Sequence, residues 1–63
     1  MTQHVYEAIA ADLRDFGYTT ATADQIRDVH QSVQNGEPLP HGIIGMFAEK
    51  QIRTAIERGL LKP

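Results

Sequence analysis

At 63 residues, with no cysteine and a formal charge of −2 at pH 7, the chain has room for one hydrophobic core, and neither a disulfide nor a thiolate metal centre can staple it. A domain this small buries only about 60% of its unfolded surface, so a packed helical core, helped by association, has to carry the fold. The six Lys and Arg are scattered among eight Asp and Glu, unlike the basic face of a nucleic-acid binder. No apolar run approaches the ~18 residues of a membrane span, and the first residues lack the basic start of a signal peptide. A soluble, cytoplasmic protein is expected.

Val5, Ile9, Leu13 and Phe16 step by four, four and three, one stripe of an α-helix, with Tyr6 beside it. The spacing predicts a first helix over about residues 3–16, with Leu13 and Phe16 in the core. Gly17 suits the left-handed residue that ends such a helix, and Tyr18 can then fold back toward Leu13.

A second helix is predicted over 22–35. Thr22 and Gln25 have the spacing of a capping box, Ala23, Ile26, Val29 and Val33 form a narrow apolar stripe, and Asn35-Gly36 ends the helix. Pro38 and Pro40 then interrupt the helical pattern, and Pro40 is suited to the first turn of a third helix over about 40–58. Gly59 closes it, with Leu60 placed to pack back on Ala55. The whole reads as an all-α domain spanning 1–63, in which the third helix is central and touches both others.

Gly45, Ala48, Ile52, Ala55 and Gly59 share one line of the third helix, and their mostly small side chains would let a neighbouring helix approach closely. Ile44, Phe47 and Ile56 widen this face. Met46 lies off it, about 200° from Ile44, in the row of Lys50, Arg53 and Glu57. A stretch of Ile43, Met46 and Phe47, preceded by Leu39 between two prolines and followed by Lys50, reads either as ordinary exposed apolar residues or as a partner-binding patch, and the patch is the site expected here.

The chemistry-bearing residues form no catalytic pattern. His4, His30 and His41 are far apart, match no HExxH metal signature, and read as surface or cap residues. No Ser has a readable base partner and no glycine-rich loop follows a strand, so neither an enzyme, a cofactor nor a metal is expected. The acids read as solvated faces and helix pairs such as Glu49 with Arg53.

Residues 36–61, "GEPLPHGIIGMFAEKQIRTAIERGLL", resemble small uncharacterised helical proteins of actinobacteria or their phages; the resemblance carries no catalytic motif and implies no activity. The expected function is a non-enzymatic protein-binding module, an accessory subunit or phage-type modulator, whose partner is another protein chain or a second copy. The alternative is a DNA-binding regulator of helix-turn-helix type. Against it stand connections longer than that motif's turn and a second helix bearing Asp24 and Asp28 beside Arg27.

Overall fold

The computed structural model describes residues 2–63. Three α-helices follow one another, α1 (Thr2–Asp15), α2 (Ala23–Asn35) and α3 (Gly42–Glu57), and the described residues include no strand. This is the all-α, three-helix architecture expected from the sequence. Each helix packs against both of the others, so α3 does touch both neighbours, but the packing does not single it out as the centre. No helix is long and apolar enough to cross a membrane.

Local chemistry sets the helix ends. Gly17 takes φ +114°, and two hydrogen bonds close the end of α1 over it: Gly17 N–H donates to the Arg14 carbonyl at 3.1 Å and Tyr18 N–H to the Leu13 carbonyl at 2.9 Å. These are the paired bonds of a Schellman cap, and they satisfy carbonyls that the helix itself leaves free. The same pair recurs at Gly36 and at Gly59. At the start of α2 the capping box is complete. Thr22 Oγ1 accepts from Gln25 N–H at 3.3 Å, and Gln25 Oε1 accepts from Thr22 N–H at 3.0 Å.

The core unites Tyr6, Ile9, Ala10 and Leu13 of α1, Ile26 and Val29 of α2, Ile44, Ala48, Ile52 and Ala55 of α3, and Ala21 and Leu61 from the connecting and terminal segments. Two expectations fail here. Phe16 is 74% exposed and does not belong to the core. The buried stripe of α1 is centred between Ile9 and Tyr6, which moves Val5 and Phe16 to its edge, and Phe16 lies one residue beyond the helix. Leu60 is also exposed and Leu61 takes the buried position, although Leu60 N–H does bond the Ala55 carbonyl at 2.8 Å. The cap turns the backbone as predicted. The emerging chain then aims Leu61, not Leu60, at the core.

The small-residue line on α3 is buried from Gly45 through Ala48, Ile52 and Ala55, but Gly59 is exposed beyond the helix. What approaches Gly45 is chiefly the chain's own backbone and only secondarily another helix. A Cβ placed there would collide with the Pro40 carbonyl oxygen, while Val29 Cγ2 of α2 lies at an ordinary 3.6 Å. Contrary to the expectation from sequence, Pro40 is not part of the first turn. It precedes the helix, and its carbonyl rests on the helix surface.

His30 also departs from expectation: it is buried, not a surface or cap histidine. Its Nε2 lies 2.6 Å from the Lys62 carbonyl and its Nδ1 lies 2.7 Å from the Tyr6 hydroxyl. A carbonyl can only accept, so Nε2 carries the hydrogen and Nδ1 accepts from Tyr6. Burial pushes the Tyr6 phenol up from its ordinary range and so favours the protonated donor, although the charge of Arg27 offsets part of the effect. One imidazole thus ties α1, α2 and the C-terminal segment together.

Two stability measurements follow. Leu13→Ala should cost about 2–5 kcal/mol in denaturant unfolding by opening a core cavity, whereas Phe16→Ala should cost about 1 kcal/mol or less because only aromatic edge contacts are lost. Equal losses would contradict the exposed placement of Phe16. Gly45→Ala should destabilise by about 1–3 kcal/mol through overpacking against a backbone carbonyl, despite alanine's better helix propensity; a more stable variant would show that Pro40 does not press on the helix.

Candidate functional site

The segment leading into α3 fixes which way that helix points. Two prolines stiffen residues 38–40, and His41, the residue preceding the first turn, sits in the left-handed region at φ +68°. Such a conformation is uncommon outside glycine, although histidine is among the residues that tolerate it best. His41 makes no side-chain cap to α3. Its imidazole reaches across to α2 instead, where Nε2–H donates to Asp28 Oδ2 at 2.9 Å. Arg27 Nη2 approaches the other oxygen of Asp28 at 3.7 Å. The hydrogen bond from His41, with the Arg27 guanidinium adding to it, holds the Asp28 carboxyl below its ordinary range.

With its start anchored on α2 and its Gly45 face against Pro40, α3 turns Ile43, Met46 and Lys50 to solvent. Ile43 is 54% and Met46 62% exposed, and Phe47 is half-buried between the core and this face. Positions 43, 46, 47 and 50 follow the i, i+3, i+4, i+7 pattern of a single helical stripe. It is a second stripe, nearly opposite the buried one. Of the five residues expected to bind a partner, Ile43, Met46, Phe47 and Lys50 are brought together by this geometry. Leu39 stands apart: it is half-buried and packs against the core, so it supports the approach to α3 more than it offers a surface.

Phe16, assigned to the core from sequence, extends this face. Its ring centroid lies 6.2 Å from that of Phe47 and 6.3 Å from that of Tyr18, and the Tyr18 and Phe47 rings are 5.1 Å apart. These separations are in the range of favourable aromatic pairs. The three rings bridge the end of α1, the α1–α2 turn and the first half of α3. The clue in the sequence was the position of Phe16 immediately before a helix-ending glycine, where a side chain leaves the stripe it would otherwise continue.

A groove between α1 and α3 runs from this cluster. Asp12, Leu13, Asp15 and Phe16 line one wall, and Phe47, Lys50 and Gln51 the other. The groove continues along α1 past Ala8, Val5 and His4, opposite Thr54, Arg58 and Leu60. Among the described residues Asp12, Asp15 and Lys50 make no ion pair within 4.0 Å, whereas Arg53 is held by Glu49 through contacts of 2.8 and 3.1 Å. The described residues also include no group of three or more His, Asp or Glu placed to hold a metal ion. Comparison with protein-family models, with curated proteins and with solved structures finds no match.

The lowered Asp28 carboxyl has a pH consequence. A carboxyl depressed in the folded state adds stability above its unfolded value near 3.9, and that contribution is lost as pH falls through the lower folded value. The ¹³C-detected titration midpoint of Asp28 should therefore lie below the usual carboxylate range and rise toward it in His41→Ala. A midpoint insensitive to that substitution would mean that the His41 hydrogen bond is not the cause.

Proposed function

We propose that this chain is a non-enzymatic protein-binding module, an accessory subunit or modulator of the kind bacterial viruses use on host assemblies, and that it acts in the cytoplasm. The observation that carries the reading is the exposed apolar stripe of Ile43 and Met46, continued by Phe47 and Phe16. Side chains of this size standing together on a helix already committed to the core by its other face are what a helix-mediated contact requires. Lys50 sits one turn further along the same stripe, where its stem covers apolar surface and its ammonium fixes orientation at the rim.

The distribution of cations supports this reading over DNA binding. On α2 the one guanidinium, Arg27, is taken up by Asp24 at 3.3 Å and by Asp28 at 3.7 Å, so little positive charge is left for phosphate.

Met46→Glu separates surface from core. Since Met46 is exposed, the substitution should leave the melting curve of dilute protein within about 0.5 kcal/mol of the parent. A carboxylate buried at the centre of an apolar contact has no partner, so co-purification of the protein that the parent chain binds in its native host should be lost. Retention of that partner at parent levels would remove the stripe from the interaction.

A further inference from the structure

We infer that the partner covering the Phe16–Phe47 face is a second copy of this chain, related by a two-fold axis that sets α3 of each copy across α1 of the other. This rests on the protein-binding reading of the face and goes on to name its occupant. Charge placement favours a copy over an unrelated chain, and two further observations are compatible with it.

The first is charge placement. Asp12 and Asp15 on α1 and Lys50 on α3 line the same groove on opposite walls, and among the described residues none of the three is ion-paired within the monomer. The face thus presents an acidic edge and a basic edge on either side of one aromatic strip. A two-fold axis passing near the Phe16–Phe47 contact brings the acidic edge of each copy onto the basic edge of the other. That self-complementarity is what an isologous interface demands.

The second is net charge. At −2 per chain, two copies meet with only weak mutual repulsion, which does not oppose association. The third is area. Phe16, Ile43, Met46 and the free side of Phe47 expose on the order of 400 Å² of side chain, taking roughly 150–250 Å² for each complete large residue. Doubled, and enlarged by the charged edges, this reaches about 1,000–1,200 Å², the lower bound for a specific interface. A dimer of modest affinity is the expected result, formed by a chain whose small core gains from the extra burial.

The arrangement makes a charge-exchange test decisive. In Lys50→Glu homodimers both crossed contacts become acid against acid, and in Asp12→Lys/Asp15→Lys homodimers both become base against base. When the two variants are mixed, both contacts are attractive again, one with native polarity and one reversed. Sedimentation equilibrium of the parent chain should show dimer growing with concentration, each variant alone should raise the dissociation constant at least about tenfold, and the equimolar mixture should recover most of that loss. Met46→Glu and, as an independent probe, Ile43→Glu should be monomeric, with helical circular dichroism confirming that all variants fold.

A parent chain that stays monomeric up to about 1 mM overturns the second copy as occupant. It leaves the protein-binding reading standing provided Met46→Glu still loses the host partner. A dimer that tolerates both Met46→Glu and Ile43→Glu overturns the inference by placing the contact on another face. Failure of the mixture to recover affinity overturns the crossed two-fold geometry.

Discussion

The close approach of the Pro40 carbonyl to Gly45 is the constraint on which the rest of the molecule turns. A side chain at position 45 would lift the 38–40 segment away from α3, and with it His41, whose imidazole binds Asp28 on α2. The prolines make that segment stiff, so displacement at one end is transmitted to the other instead of being absorbed. Rotation of α3 about its axis is thereby fixed at its first turn. Ile44, Ala48 and Ile52 go inward and Ile43, Met46 and Lys50 go outward as two consequences of one contact. The glycine costs the helix about 1 kcal/mol in propensity, which the close packing offsets.

Features governed by residues a few positions apart were readable from the sequence. The Thr22–Gln25 capping box, the glycine caps and the buried line of Gly45, Ala48, Ile52 and Ala55 depend on spacing along one helix, and the all-α three-helix class follows from them. The exposure of Met46 was readable for the same reason. What could not be read was set by partners distant in the chain. Phe16 continues the spacing of its helix but sits at the edge of a stripe whose true centre depends on where α2 and α3 pack. His30 differs from an exposed histidine only through Tyr6, 24 positions earlier, and a carbonyl 32 positions later. The choice of Leu61 over Leu60 depends on the direction in which the chain leaves its cap, which no pairwise spacing encodes.

The polar groups of the interior show how a chain without disulfides manages its ends. Among the described residues, no buried side-chain nitrogen or oxygen lacks a hydrogen-bond partner. Burial of Tyr6 and His30 would otherwise be costly, since an unsatisfied polar group in a small core removes a good part of the stability available. Here the pair joins three segments through two short bonds, and its rings meet edge to face at 5.7 Å. Beyond the C-terminal end of α1, the rings of Phe16, Tyr18 and Phe47 cluster against one another. The two ends of the bundle are therefore held by different chemistry. Polar fixation secures the C-terminal segment, while an adaptable ring cluster borders the exposed face.

The bond from His30 to Lys62 runs to a main-chain carbonyl, and this shapes how the chain can vary over time. Any residue at position 62 presents the same oxygen, so the lysine side chain is free to drift while the histidine is not. The dependence is one-sided. In a set of diverging homologues it would leave the imidazole with no covarying partner at position 62, a contact invisible to methods that infer proximity from correlated substitution. A neutral proline at position 62 would keep the acceptor too, since what it lacks is a donor. The tether to the C-terminal segment is thus encoded at one position and read at two, so that end of the chain needs no matched pair of side chains.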